Sequence, residues 1–201
     1  RPVWVILVEN MSHTNDHIVT SFDEELNTLK TTISLMGGLV ESQLADALEA
    51  FRRRDTALAE HCQQTDHKTD ELEAQISQLA LQLLALRQPM AGDLRAIVVS
   101  LKIASDLERM GDNAKSIAKR AVTLSQLPEI SVVNGIARMT TLTQHLLTEM
   151  LDAYARSDLD RAMVVWRRDE EIDAMYTSIF RELLTYMMED PRTITTCTHL
   201  L

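Results

Sequence analysis

Two pairs of carboxylates are the residues in this sequence best placed to do chemistry. Asp66 and Asp70 stand four apart in Asp66-His67-Lys68-Thr69-Asp70. Glu108 and Asp112 repeat that spacing in Asp106-Leu107-Glu108-Arg109-Met110-Gly111-Asp112-Asn113. Residues four apart on a helix lie one turn apart on one face, so each pair presents two acids together. Between the pairs, Gln88-Pro89-Met90-Ala91-Gly92 is the one Pro/Gly break and reads as a helix–helix turn. The pairs centre on residues 68 and 110, and Pro89 lies midway. An antiparallel hairpin about that proline therefore brings both pairs to one height. Four carboxylates at one level repel one another unless a cation or shared protons intervene. A metal site built from two helical carboxylate pairs is the sharp expectation. The bland alternative is a solvated acidic face neutralised by Arg109 and Lys115. Gly111 adds a second hint, because glycine inside a helix costs about 1 kcal/mol relative to alanine. A helix that keeps it there needs room for a close neighbour or a ligand. All-oxygen donors favour hard ions such as Mg, Mn, Ca or Fe(III) over Zn. The imidazole of His67 lies beside these acids as a further candidate, with a solvent-facing role the simpler expectation.

The elements that would position these acids are long helices. Five Gly and four Pro in 201 residues leave few interruptions, and aromatics are only 4% of the chain. Leu, Ile, Val, Ala and ten Met must supply the packing. Ser21 followed by Glu24 is a capping box for the first helix. Leu26, Leu29, Ile33, Met36, Val40, Leu44, Ala47 and Phe51 then recur mostly three and four apart, the period of an amphipathic helix. Arg52, Arg53 and Arg54 place positive charge where the helix dipole favours it. Asp55 caps a second helix whose seam runs Leu58, Cys62, Thr65, Thr69, Leu72, Ile76, Leu79, Leu83 and Leu86. On this seam Cys62 is a core residue rather than a reactive thiol. A third helix follows Pro89 with Ile103, Leu107, Met110, Ala114, Ile117, Ala121 and Leu124 on one stripe, and Pro128 closes the unit.

After Pro128 the pattern restarts. Phe51 to Ile76 aligns without gaps on Tyr154 to Ile179, pairing Asp55 with Asp158, Asp66 with Asp169 and Asp70 with Asp173. Pro191 then plays the part of Pro89. An internal duplication explains why both acids and both turns recur. The expected fold is all-α: two tandem, pseudo-symmetric three-helix bundles, residues 21–127 and 128–201. The repeat offset carries the end of the first unit beyond Leu201, so the second bundle is expected to lack most of its third helix. Residues 1–20 are an N-terminal extension, with Met11 a candidate true start. The apolar run Val3 to Val8 is too short to span a bilayer.

The formal charge of -10 disfavours nucleic acid, whose phosphates demand a basic surface. It suits cations or a basic protein partner. Two cysteines, Cys62 and Cys197, without metal-ligand spacing fit a reducing cytoplasm.

These features together resemble the PhoU family of phosphate-transport accessory and phosphate-signalling proteins. The resemblance spans residues 20 to 201. It rests on Ser21-Phe22-Asp23-Glu24-Glu25-Leu26, Met36-Gly37-Gly38-Leu39-Val40, the Asp66/Asp70 pair and the run Asp106 to Ala118. It implies acidic motif pairs able to hold multinuclear clusters of ions such as Fe, Mn, Mg or Zn. Carried over, Asp66, Asp70, Glu108 and Asp112 form the first motif pair, and Asp169 and Asp173 are half of the second. It also implies a cytoplasmic homodimeric regulator, not an enzyme, that restrains a phosphate-sensing histidine kinase and the ATPase subunit of the phosphate transporter. The competing class is a di-iron carboxylate bundle enzyme or metal-storage protein, which uses Glu-x-x-His motifs. None of the six His follows an acid by three positions, so that reading is weak. A purely structural bundle without metal is the stronger alternative.

Overall fold

The computed structural model describes residues 20–87, 89 and 91–201. Residues 1–19 of the expected N-terminal extension lie outside these residues, as does the side chain of Ser21, the expected first cap, while Thr20 already belongs to the first helix. The described chain is all-helical: α1 (Thr20–Arg53), α2 (Thr56–Thr65), α3 (His67–Arg87), α4 (Ala91–Leu124), α5 (Val133–Arg156), α6 (Leu159–Arg167), α7 (Asp169–Glu189) and α8 (Ile194–Leu200). A single 3-10 turn, Pro191–Thr193, joins α7 to α8. No helix among the described residues is long and apolar enough to cross a membrane.

In the first repeat α1 and α4 lie along each other, with α2 and α3 packed across both. Each of these two helices has 34 residues, about 50 Å at 1.5 Å per residue. Leu29, Ile33, Met36, Val40, Leu44 and Ala47 of α1 are buried against Cys62, Ile76, Ala80 and Leu83 from α2 and α3. This follows the seams read from the sequence, with exceptions. Leu86 is 68% exposed, and Leu26, Phe51, Leu58, Leu72 and Leu79 are only partly buried. Ala80 joins the core because helix packing here admits a small side chain. Cys62 is 1% exposed, donates to the Gln43 carbonyl, and has its thiol pushed up to about 11, chiefly by burial. A thiol so protonated is an inert core group.

Helix α4 departs from its expected stripe. Besides Asp93, Val99 and Ser100, it buries Ile97, Ala104, Gly111 and Ala118 on one row and Leu107, Ala114 and Ala121 on another. Both rows repeat every seven residues, as in a coiled-coil seam. The small side chains on the first row let α4 come close to α1 and α3. Ile103, Met110 and Ile117, expected in the core, are only partly buried. Ile103 and Met110 instead line a cleft with Leu147 and Leu151 of α5.

The second helix of each repeat is broken where continuity was expected. Asp55 caps α2 by accepting from the Leu58 N–H at 3.0 Å, and Asp158 caps α6 by accepting from Arg161 in the same way. Ten residues on, the Thr65 hydroxyl bonds back to the His61 and Cys62 carbonyls, and Asp66 begins a tighter turn whose carbonyl accepts from the Thr69 N–H. Back-bonding of this kind competes with the helical ladder and bends it. A matching break falls at Arg168, whose carbonyl accepts from the Glu171 N–H. The joints before these helices also match, since Arg54 and Ser157 both adopt left-handed backbone, φ 56° and 53°. At the first of these joints Arg54 donates to the Leu124 and Leu127 carbonyls, satisfying the open end of α4.

The second repeat is thinner. Helix α5 packs on α6 and α7, while α8 touches α7 and the end of α4. Its buried cluster is Ile130, Val132, Ile179, Leu183 and Cys197. The two repeats meet where α1 lies against α5, and again where α4 meets α8.

Candidate metal centre

The hairpin of α3 and α4 brings both acidic pairs to one level, on the outer face of the first repeat. Four of its carboxylates act on one another through their charges: Glu108 and Asp112 on α4, and Asp70 and Glu73 on α3. The Glu108 carboxyl titrates above its ordinary range, first because it is partly desolvated, then because Asp112, Asp70 and Glu73 repel its charge. Glu73, absent from the sequence reading, lies three residues beyond Asp70 on the same helical face. That spacing was the signal available to find it. Glu73 also accepts a hydrogen bond from Ser77 at 3.2 Å.

Asp66 is placed differently. It is only 3% exposed, and its Oδ2 accepts from Lys115 Nζ at 2.6 Å. Lys115 Nζ also stands 3.8 Å from Asp112 Oδ1. One ammonium thus bridges the two motifs, and Asp66, then Asp112 and Asp70, hold its pKa above the ordinary lysine value against some desolvation. The other expected counter-ion, Arg109, reaches Asp106 at 3.7 Å rather than Glu108 or Asp112.

The floor beneath these acids explains Gly111. A Cβ built on Gly111 would sit 3.2 Å from Gln43 Oε1 and 3.2 Å from Thr69 Cγ2. Thr69 donates to Gln43 Oε1 at 3.0 Å, a buried polar contact linking α1 to α3 directly under α4. The close neighbour expected at this glycine is therefore protein. His67, beyond the turn, is exposed and its Nδ1 contacts the Gln64 carbonyl at 2.7 Å, which makes it a local turn residue.

Asp169 and Asp173 lie at the start of α7 without a facing acidic pair among the described residues. Asp173 lines an open groove with Thr177, Ser178 and Arg181. Nearby, Arg168 pairs with Glu171 at 2.9 Å and Glu149 at 3.4 Å.

The donor set of the first repeat is all-oxygen and mutually repelling, the chemistry a hard cation relieves. Its geometry is open. Among the described residues no three His, Cys, Asp or Glu side chains stand close enough to enclose an ion. The ammonium of Lys115 stands in for a cation between Asp66 and Asp112.

Comparison with known proteins agrees with this architecture. The PhoU domain profile matches residues 33–121 and 136–201. The chain is 52% identical over 187 residues to the "Phosphate-specific transport system accessory protein PhoU homolog" of Caulobacter vibrioides, covering 92% of this chain and 81% of that protein. The crystal structure of PhoU from Pseudomonas aeruginosa superposes with a TM-score of 0.86 at 38% identity, over 89% of this chain and 86% of that one. The phosphate transport system regulatory protein PhoU from Streptococcus pneumoniae superposes with a TM-score of 0.80 at 28% identity, over 89% and 87% of the two chains. By sequence and by fold, this chain belongs to the PhoU family.

Proposed function

We propose that this chain is a regulatory accessory of a phosphate transport system, acting by binding rather than by catalysis. Its partners in this reading are the ATPase subunit of the transporter and the cytoplasmic region of a phosphate-sensing histidine kinase. It works in the cytoplasm as a homodimer. The observation that carries the transport role is family membership in sequence and fold, with a relative named as an accessory of a phosphate-specific transport system matched along nine-tenths of the chain. The rigid first repeat and the net acidic surface fit an adaptor.

The same proposal gives the first repeat a hard cation, Fe, Mn or Mg before Zn. Glu108, Asp112 and Asp70, with Glu73 beside them, supply the oxygens, and Asp66 joins them only if it leaves Lys115. Asp169 and Asp173 offer the second repeat half of an equivalent motif. What supports the cation is the gathering of Asp112, Asp70 and Glu73 around Glu108, whose pKa is raised first by desolvation and then by their charges.

The partner reading is tested by mixing the purified chain with the purified ATPase subunit, and separately with the kinase's cytoplasmic region, on a sizing column. Co-elution with either is expected. Failure to bind both, or phosphate-ester hydrolysis that vanishes in a carboxylate variant, overturns it.

A further inference from the structure

We propose that the groove between the last turn of α1 and the start of α5 is a docking surface for an acidic segment of a protein partner. The antiparallel register that sets Glu41 beside Thr148 and Gly37 beside Leu151 carries Arg52 to the level of Ala137. Asn134, Arg138 and Thr141 are four and three apart, so they share one face of α5. Arg52 closes the other side, and the small side chain of Ala137 leaves the space between open, about 590 Å3. None of the acids of the candidate metal centre lines this groove. It is independent of the cation and of which partner the chain serves.

The charge of this groove runs against that of the chain. Acids outnumber Lys and Arg by 30 to 20, yet no acid lines the groove. Arg53, Arg109, Arg161 and Arg168 each have a carboxylate within 4.0 Å. Arg52 and Arg138 have none among the described residues, and both are exposed. Arg52 at least complements the dipole of α1. Arg138 lies in the second turn of α5, toward the helix end whose dipole gives a cation no stabilisation. The Thr141 hydroxyl donates to the Ala137 carbonyl at 2.9 Å, so the groove's free donors are two guanidinium forks and the Asn134 amide. Donors of this kind, with no acceptor charge beside them, match carboxylates, which each fork can take bidentately. Two forks on two helices suit successive acids along a segment better than one small ion. Nucleic acid needs a far broader basic surface. The acidic remainder of the protein repels an acidic segment and so steers it to this one place. Because Arg52 belongs to the first repeat and Arg138 to the second, the bound segment spans the junction between them.

The test titrates the protein into fluorescein-labelled hexaglutamate at low salt and follows anisotropy. The unaltered chain should bind saturably. Arg52→Gln/Arg138→Gln should bind about tenfold more weakly, the scale of two exposed ion pairs lost together. Arg156→Gln/Arg167→Gln removes the same charge from two exposed arginines outside the groove and should bind as the unaltered chain does. All four arginines are exposed, so circular dichroism should show both variants folded. Equal weakening in the two variants would mean that the general field attracts the peptide, and the groove would lose its role. Absence of saturable binding by the unaltered chain overturns the proposal. So does displacement of the peptide by inorganic phosphate at the same concentration of anionic groups, which would make the groove a simple anion site.

Discussion

The two repeats share a sequence pattern and differ in depth. In the first, three helical layers close around Ile33, Met36, Ile76 and Ile97, none of which is exposed. In the second the buried cluster is smaller, Ile130, Val132, Ile179, Leu183 and Cys197, with α8 contributing Cys197. The lesson concerns what a helical repeat needs. An apolar stripe three and four apart makes a helix amphipathic, and how much of that stripe is buried depends on the helices packed over it. The acidic motifs differ in the same way. In the first repeat acids on two helices face each other, whereas among the described residues Asp169 and Asp173 of α7 have no facing pair.

The largest effect expected from this contrast is in the cores. Ile33→Ala empties a site enclosed by three helices and should cost about 3–4 kcal/mol, in the range for buried aliphatic truncation. Leu183→Ala removes an equally buried side chain from the thinner cluster, which can collapse further, and should cost nearer 2 kcal/mol. Chemical denaturation measures both. Equal costs would mean that the second repeat is packed as tightly as the first.

A smaller effect sharpens the picture of how the repeats touch. Gly37 lies where α1 meets α5, and a Cβ there would fall 2.5 Å from Leu151 Cδ1. Its neighbour Gly38 has nothing within 4 Å of the same position. Gly38→Ala should therefore stabilise by about 0.5–1 kcal/mol through helix propensity alone. Gly37→Ala gains the same propensity but must displace Leu151, for a net loss of about 1 kcal/mol by the usual cost of overpacking. If both variants gain stability in thermal melts, the α1–α5 contact is looser than described.

The smallest effect is electrostatic. The Glu108 carboxyl titrates above its ordinary value of 4.5 in the folded chain. The folded state thus holds that proton more firmly than the unfolded one. Its stabilising contribution is complete below about pH 4.5 and is lost as pH rises through the raised pKa. Above that window the ionised group works against Asp112, Asp70 and Glu73. With chelator present, Glu108→Gln should raise the melting temperature slightly near pH 7 and leave it unchanged near pH 4, a small effect because the face is solvent-screened. A gain at both values would point to packing rather than charge.

Much of this was legible because helical period is a local property. The seam of α1, the caps Asp55 and Asp158, and the hairpin that levels the acids all follow from spacing within one or two turns. The stripe of α4 did not, because periodicity favours large apolar residues, while close helix approach selected Ala104, Gly111 and Ala118. The break at Asp66 was missed because it depends on Thr65 bonding backwards and on Lys115, distant in sequence, drawing the carboxylate inward. For the same reason Asp66 and Asp70 read alike in sequence, yet Asp66 is buried against Lys115 while Asp70 is exposed. Gly111 was singled out correctly, and its neighbours Gln43 and Thr69 are long-range contacts that spacing does not reveal.

The central claim is that the acids of the first repeat bind a hard cation. It is tested most directly by elemental analysis of protein purified without chelators, followed by Mn2+ dialysis, for the unaltered chain and for Glu108→Gln/Asp112→Asn. The account predicts bound metal in the unaltered chain and loss of most of it in the double variant, with helicity by circular dichroism unchanged. Unaltered metal stoichiometry in the double variant, or no metal in either protein, would contradict it.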